Sequence, residues 1–150
     1  MMSGITYAER VPDCEAYLEL FNTTGWNGMY RATAGDLQRS LTRSWHAISA
    51  FEGKNLIGFG RLLSDGVLYA VVFDVIVAPD RQRRGIGTAI MQRLLQRCEA
   101  HGIRDVLLFS ARGTPAFYRR FGFVERPGEA PGMILRRGRG ASPREARDGG

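Results

Sequence analysis

An apolar run that passes directly into a helical pattern, between residues 67 and 102, constrains the fold of this chain most. Residues 67–77, VLYAVVFDVIV, are apolar on both faces, which is typical of a central strand covered on both sides. Beyond Gly85 the apolar residues recur at helical spacing, and Gly102 ends the pattern. The residues on this stripe are Ile86, Ile90, Leu94 and Cys98. We therefore predict a buried strand, a short loop and an amphipathic helix in direct succession.

The other segments predict an α/β fold of mixed (α+β) type. Strands are predicted at residues 5–10, 45–51, 56–63, 67–77, 105–110, 122–127 and 132–136. Helices are predicted at residues 13–21, 33–44, 85–102 and 114–121, with Asp13 capping the first and Thr114 the last. This order predicts a central mixed β-sheet of six to seven strands flanked by about four helices, in a single domain over residues 1–135.

Composition favours a soluble globular protein. The chain has 150 residues, of which 44% are hydrophobic, enough to bury a core. It contains no run of 18 apolar residues and no hydrophobic segment near residue 1, so we expect a cytoplasmic protein without a membrane partner. The cysteine and histidine residues are scattered along the chain, and their spacing indicates neither a metal site nor a disulfide framework. They are Cys14, Cys98, His46 and His101.

The formal net charge of +6 raises the question of a nucleic-acid partner. Half of that charge lies in residues 136–150, RRGRGASPREARDGG, where five arginines face Glu145 and Asp148. This segment has no apolar periodicity and is rich in arginine and glycine, so we predict a disordered tail. We expect the tail to solubilise the protein, and we predict no nucleic-acid partner.

The loop between the predicted strand and helix has the features of an anion site. Backbone N–H groups converge there with the positive end of the helix dipole. Gly85 and Gly87 permit close approach of a phosphate, and Arg83 and Arg84 add positive charge. A dinucleotide fingerprint would require a third glycine where Ile90 stands, and a Walker loop would require Gly-Lys-Ser/Thr. The spacing alone leaves a phosphate loop and a solvated charged turn both open.

Two motifs resemble the GNAT superfamily of N-acetyltransferases. Residues 75–79, VIVAP, followed by Gln82–Gly87, are similar to its acetyl-CoA-binding motif Q/R-x-x-G-x-G/A after a V-x-V strand. Residues 117–123, FYRRFGF, are similar to a downstream motif in which a tyrosine precedes Gly-Phe. The resemblance covers residues 5–135. Within the superfamily, residues 24–26, 60–66 and 73–77 look most like the bacterial and plastid arylalkylamine (serotonin-type) acetyltransferases.

The resemblance implies a splayed strand pair at an acetyl-CoA site, where pantetheine lies along the strand and the loop holds the pyrophosphate. It implies no metal. The strand positions are Val75, Ile76 and Val77, and the loop positions are Gln82, Arg83, Arg84, Gly85, Ile86, Gly87 and Thr88. A backbone N–H of this strand can polarise a thioester carbonyl, so apolar side chains are compatible with a catalytic strand. Homodimers are common among members, and a homodimer is one option here.

Two side chains are candidates for catalysis by direct attack of an amine on the thioester. Tyr118 is the candidate general acid for the departing thiolate, the alternative being a ring that packs beside Phe117 and Phe121. Asp74 is the one charged residue in an otherwise apolar strand. It is either a base or ammonium anchor, or a structural carboxylate paired with an arginine such as Arg61. The sequence leaves these readings of Asp74 open.

Recognition of the acceptor is predicted in the loop between the first two helices. Trp26, Met29 and Tyr30 would form an aromatic wall, and Asp65 or Asp74 would attract a cation. Trp26 as an anchor of the core is the alternative. These residues predict an N-acetyltransferase that acts on a primary amine, such as a small arylalkylamine. The alternatives are a protein lysine or N-terminal acetyltransferase and a non-catalytic acyl-CoA-binding module.

Overall fold

The structure is a computed structural model in which residues 4–137 are described. Two compact units succeed one another along the chain, with the boundary between Leu108 and Phe109. Of the tail predicted at residues 136–150, residues 138–150 lie outside the described residues. That the tail is disordered, and that residues 1–135 form one domain, stay predictions.

The described part of the first unit has five strands and four α-helices. The strands are β1 (Ile5–Ala8), β2 (His46–Glu52), β3 (Asn55–Ser64), β4 (Tyr69–Val77) and β5 (Asp105–Leu108). The helices are α1 (Cys14–Asn22), α2 (Asn27–Tyr30), α3 (Ala34–Thr42) and α4 (Ile86–Ala100), and a 3-10 turn spans Pro79–Arg81. The second unit contributes α5 (Pro115–Arg119).

One sheet organises the first unit, in the order β1-β2-β3-β4-β5. Its first three strand pairs are antiparallel, and β5 joins β4 in parallel. The long segment containing α4 makes this parallel connection, as a crossover requires. The predicted mixed sheet is confirmed.

The predicted strand count is wrong, because residues 122–127 and 132–136 form no strand. Pro127 and Pro131 lack the N–H that a ladder needs, and Ala130 closes a turn on the Pro127 carbonyl instead. The apolar side chains of these segments also gain little burial: Val124 is 88% exposed and Met133 is 86% exposed. An alternating apolar pattern predicts a strand only where a partner covers it.

Most local signals for the helix ends hold in the structure. The exception is Thr114, which stands at the N-cap position of α5 but makes no capping hydrogen bond, because its hydroxyl donates to the Ala111 carbonyl. The Asp13 carboxylate accepts hydrogen bonds from the N–H groups of Glu15 and Ala16, as the predicted cap of α1. Thr33 and Asp36 form a reciprocal capping box at the start of α3. The predicted apolar stripe of α4 is buried, and Gly102 ends the helix region in a left-handed conformation. The helix α2 lies in a segment that had been predicted as loop.

Two glycines of β3 let α4 lie close to the sheet. A Cβ atom at Gly60 would stand 2.7 Å from the Ile90 Cγ2 atom and 3.1 Å from a Leu94 methyl. At Gly58 it would stand 3.0 Å from the Ile86 Cγ2 atom. The Ile90 and Leu94 side chains are fully buried, so they have little room to move. The start of α4 is thereby held against the middle of the sheet.

Replacing Gly60 with alanine should destabilise the fold. Overpacking against Ile90 is expected to lower the free energy of unfolding by about 1–3 kcal/mol. Denaturant titration of wild-type and Gly60→Ala proteins measures this change. Gly28→Ala is the matched control, because a Cβ atom there meets nothing within 4 Å. Equal stability of the Gly60→Ala and Gly28→Ala proteins would show that the contact with α4 is not tight.

Candidate active site

A β-bulge interrupts β4 just before the predicted cofactor segment. Arg61 is opposite Phe73, but Phe59 is opposite Ile76, so β4 gains one residue across from Gly60. Asp74 takes up this extra residue with a φ of 56°. A left-handed conformation costs a non-glycine residue about 1–2 kcal/mol, and aspartate tolerates it better than most residues. The surrounding contacts must therefore hold the bulge in place.

The bulge decides which peptide groups of β4 point away from β3. The Ala78 N–H donates to the Ile57 carbonyl at 2.8 Å. Ile76 lies two residues earlier in the same ladder, opposite Phe59, so its peptide groups also point toward β3. Because peptide groups along a strand alternate in direction, those of Val75 and Val77 point to the opposite side. In agreement, the Gln82 side-chain amide donates to the Val77 carbonyl at 3.4 Å.

That opposite side of β4 is open over its second half. The strand β5 pairs with β4 from Tyr69 to Val72 and no further along the described chain. From Phe73 to Val77 β4 has no ladder partner on this side among the described residues, which agrees with the splayed pair that the resemblance implies. The peptide groups of Val75 and the N–H of Val77 are thus available to an extended, amide-bearing molecule, which is the chemistry of strand addition, while the Val77 carbonyl accepts from Gln82.

The loop that follows β4 leads into the N-terminus of α4. Gly85 is the N-cap residue in a left-handed conformation with a φ of 79°, and its missing side chain leaves the first N–H groups of the helix uncovered. Arg83 and Arg84 are exposed. The base of the loop is fixed, because the Arg81 guanidinium forms two hydrogen bonds to Glu52, at 3.1 and 3.2 Å. The predicted loop positions thus combine a helix N-terminus with two solvent-facing guanidinium groups.

A small cavity joins the predicted strand and acceptor residues. Its volume is about 140 Å³, and it is lined by Thr23, Thr24, Trp26, Val75, Ile76, Val77, Pro79 and Gln82. These residues are uncharged, and the Trp26 ring also packs edge-on against Phe21 at 5.9 Å between centroids. Trp26 is therefore both a cavity wall and a core contact. The core contact is confirmed, and a role of Trp26 in acceptor recognition stays a prediction.

Of the other predicted acceptor residues, two lie near Trp26 in sequence and one lies at the far end of β4. Met29 and Tyr30 belong to α2, and the Tyr30 ring is 6.4 Å from that of Phe21. Asp65 accepts hydrogen bonds from the N–H groups of Val67, Leu68 and Tyr69, which lower the pKa of its carboxyl. The stretch of β4 from Tyr69, beside Asp65, to Val75 at the cavity is about 20 Å long. The structure does not bring Asp65 to Trp26.

Asp74 is paired with Arg61. A structural carboxylate paired with an arginine is one of the roles that the sequence left open. The Arg61 Nε–H donates to an Asp74 carboxylate oxygen at 2.7 Å, with both side chains largely buried. The guanidinium also donates to the Ser40 carbonyl and to the Ser40 hydroxyl, each at 3.1 Å. Next to the pair, burial first and then the Asp74 charge raise the pKa of the Tyr17 hydroxyl. Tyr17 therefore keeps its proton at all physiological pH values.

The predicted general acid lies in the second unit. Tyr118 belongs to α5, is half-buried, and has its ring 5.0 Å from that of Phe117 and 6.3 Å from that of Phe123. Burial raises the pKa of its hydroxyl. A phenol in this setting stays protonated at neutral pH, which a proton donor requires.

Two contributors to the site were not singled out from the sequence. The buried face of α1 consists of Tyr17, Leu20 and Phe21, and of these three Tyr17 alone has a hydroxyl. A polar atom on an otherwise apolar helix face is the sequence signal that could have identified it. The Arg81–Glu52 pair joins residues 29 apart in the chain and carries no local signal. Among the described residues there is no cluster of three or more potential metal ligands. None of the helices described here has the length and hydropathy that crossing a membrane requires.

Comparison with known proteins decides the family. The sequence profile of the Acetyltransferase (GNAT) family matches residues 10–123, about three quarters of the chain and parts of both units. The chain belongs to this family. It therefore carries an acetyltransferase domain. That the unpaired half of β4, the glycine-capped helix and the loop between them hold acetyl-CoA stays a prediction.

Individual relatives agree with the family. A chloroplastic serotonin N-acetyltransferase 2 from Oryza sativa subsp. japonica is 37% identical over 131 residues, which cover 85% of this chain and 64% of the relative. A chloroplastic GCN5-related N-acetyltransferase 1 from Arabidopsis thaliana is 38% identical over 79 residues, 53% of this chain and 40% of the relative. The chain thus spans less than two thirds of the length of either plant protein.

The fold has close counterparts among solved structures. A GNAT-family acetyltransferase from Streptococcus pneumoniae superposes with a TM-score of 0.76 at 29% identity. The match covers 89% of this chain and 98% of the bacterial one. The five-stranded described sheet is accordingly a GNAT-type sheet, although it has fewer strands than predicted.

The two exposed loop arginines should strengthen acetyl-CoA binding through charge. The double variant Arg83→Gln/Arg84→Gln is expected to raise the Kd about 3- to 30-fold, because each exposed charge contributes about 0.3–1 kcal/mol. Calorimetric titration at low and high salt measures the effect, which should shrink as salt screens the charges. Arg104→Gln, an exposed arginine outside the loop, is the control. A Kd that changes equally in both proteins would contradict a role for the loop charges.

Proposed function

We propose that this chain transfers an acetyl group from acetyl-CoA to a primary amine of a small molecule. The observation that carries the proposal is the open second half of β4, where the peptide groups of Val75 and Val77 face away from β3. Acetyl-CoA combines an amide-bearing arm with a pyrophosphate, and these match the open strand and the start of α4. A strand peptide N–H would also stabilise the negative charge that develops on the thioester oxygen.

The cavity beside Trp26 supports a small, uncharged acceptor. Its lining has threonine hydroxyls, aliphatic groups and one indole ring, but no charged side chain. An unpaired ammonium is costly in such a place, so the neutral amine is the form that enters. An aromatic or aliphatic body would pack against the indole ring. The serotonin N-acetyltransferase name of the Oryza relative gives further support to an arylalkylamine.

A second, larger cleft is a poor acceptor site on electrostatic grounds. It has a volume of about 340 Å³ and is lined by Arg39, Ser40, Arg43, Arg61 and Leu63. Arg61 is paired with Asp74 and Arg39 with Asp36, but the lining contains no carboxylate, so an ammonium substrate would meet arginines and no anionic partner. The smaller uncharged cavity is therefore the better candidate, because it also contains the strand residues of the predicted cofactor site.

In the proposed reaction the neutral amine attacks the thioester carbon, its nitrogen loses one proton to solvent, the amide forms, and the C–S bond breaks to release a CoA thiolate. Tyr118 donates a proton to that thiolate and is reprotonated from solvent. Met29 and Tyr30 on the neighbouring helix α2 would extend the acceptor wall beyond Trp26.

Two other functions would use the same cofactor residues. A protein lysine or N-terminal acetyltransferase needs an open groove for a peptide, and the bulk of Trp26 at the small cavity disfavours this. An acyl-CoA-binding module would retain binding without turnover. A cytoplasmic location, a homodimer and the lack of a nucleic-acid partner stay predictions. The chloroplastic designation of the two plant relatives makes a plastid-type compartment the alternative location.

A thiol-release assay tests the proposed reaction. With acetyl-CoA we expect turnover of at least one arylalkylamine in a panel that also contains polyamines, aminoglycosides and peptide amines. Tyr118→Phe should lower kcat by about 10²-fold, the usual contribution of a general acid, while the Kd for acetyl-CoA stays close to wild type. Tyr7→Phe, which replaces a tyrosine on β1, is the matched control. A wild-type protein that binds acetyl-CoA but releases no thiol with any amine would refute the enzyme and support the binding module.

The pH dependence of the reaction should follow the amine. With an amine whose pKa is about 10, kcat/KM is expected to rise about tenfold per pH unit from pH 7 to 9, as the neutral form increases. Because burial raises the pKa of Tyr118, its loss of a proton should not lower the rate in this window. Initial rates across the window provide the measurement. A fall in kcat/KM below pH 9 would contradict Tyr118 as the acid.

A further inference from the structure

The ion pair between Arg61 and Asp74 sits at the one point of β4 where the ladder register changes. Arg61 is opposite Phe73, immediately before the bulge, and its Nε–H reaches across to the Asp74 carboxylate at 2.7 Å. Asp74 itself has the left-handed φ of 56° that forms the bulge. The hydrogen bond between Arg61 and Asp74 therefore spans the bulge, and it joins the regular strand β3 to the bulged residue of β4.

The guanidinium is itself anchored on the helix side. It donates to the Ser40 carbonyl and the Ser40 hydroxyl at 3.1 Å, and to the Ser44 hydroxyl at 3.4 Å. These contacts tie α3, and Ser44 two residues beyond its C-terminal end, to β4 through one side chain. With four of its hydrogen-bond contacts made, Arg61 has a fixed planar orientation, which is the property that distinguishes arginine from lysine.

The core side of the pair is closed by Tyr17. This residue is 1% exposed, and its hydroxyl makes no hydrogen bond of normal geometry among the described residues, although the nearby Asp74 carboxylate acts on it as a charge and weak acceptor. The Tyr17 ring also packs on the buried Phe59 ring at 4.8 Å between centroids. Water is thus excluded from one side of the pair, which strengthens the attraction between Arg61 and Asp74.

We infer that Asp74 is a positioning residue that acts together with Arg61, and is neither the base nor the ammonium anchor of the reaction. The pair holds the bulge, and the bulge directs the peptide groups of Val75 and Val77 to the open edge. A β4 strand without the extra residue would exchange the two sets of peptide groups, because a shift of one residue reverses every direction along a strand. This inference rests on the proposed use of that edge by acetyl-CoA.

Two substitutions of Asp74 separate positioning from proton transfer. Asparagine keeps an acceptor for the Arg61 Nε–H and tolerates the left-handed conformation, so Asp74→Asn should retain kcat/KM within about fivefold of wild type. Alanine removes the acceptor, so Asp74→Ala should lower kcat/KM by about 10²-fold and raise the Kd for acetyl-CoA, as expected when reacting groups move by about 1 Å. Asp105→Ala, an exposed carboxylate on β5, is the matched control and should leave both quantities unchanged.

A double-mutant cycle tests that Arg61 and Asp74 act as a unit. Arg61→Met should reproduce the losses of Asp74→Ala, and the double variant should be no worse than the poorer single variant within about twofold. Thermal unfolding of each protein reports whether it is folded. The double variant removes both buried charges, and the asparagine variant leaves the Arg61 charge with a hydrogen-bond acceptor, so both remain informative if Asp74→Ala or Arg61→Met does not fold.

Each alternative role has its own signature. If Asp74→Asn is as inactive as Asp74→Ala with an unchanged Kd for acetyl-CoA, Asp74 is a base and the inference is wrong. If Asp74→Asn raises only the KM for the amine, Asp74 is an ammonium anchor, and the inference is also wrong. A wild-type protein that binds acetyl-CoA but acetylates no amine refutes the proposed function alone, since the Kd values still test positioning. A wild-type protein that binds no acetyl-CoA overturns both.

Discussion

A one-residue bulge in β4 is the constraint on which the rest of the candidate site depends. The extra residue at Asp74 shifts the register between β3 and β4, and every peptide group beyond it points in the direction set by that shift. The same strand continues into the loop and α4, so the bulge also determines how the chain approaches the turn that we propose as the phosphate site. A buried ion pair, Arg61–Asp74, spans the irregularity. Such a pair contributes less through net stability than through the geometry it enforces.

Close packing positions α4, the helix whose N-terminus is the other main part of the candidate site. Gly58 and Gly60 leave room for Ile86, Ile90 and Leu94, so α4 lies directly on β3. Gly60 is also the residue opposite the bulge, and the close approach of the helix and the irregularity of the strand therefore occur at the same point of the sheet. The open edge of β4 and the positive end of α4 are both positioned by this one region.

The loop that would bind an anionic cofactor is positively charged, whereas the cavity that would bind an amine is uncharged. Arg83 and Arg84 stand in solvent at the start of α4, whereas the cavity beside Trp26 is lined by uncharged side chains. The Asp74 carboxylate directly precedes the three β4 residues that line the cavity, and its charge is neutralised by Arg61. A family member with this distribution would attract phosphate groups to the loop and favour a neutral amine at the cavity.

Local chemistry in the sequence was sufficient to predict the elements of the first unit other than α2, and the likeness of its loop to a GNAT cofactor motif. The Asp13 cap, the apolar stripe of α4 and the Gly85-x-Gly87 turn depend on residues a few positions apart, which a single sequence displays directly. Tertiary structure alone decided that Asp74 pairs with Arg61, that Arg81 pairs with Glu52 and that Asp65 lies at the far end of β4. It also showed that residues 122–127 and 132–136 form no strands. These outcomes depend on which segments meet across the sheet, and contacts between distant residues leave no periodic signal in one sequence.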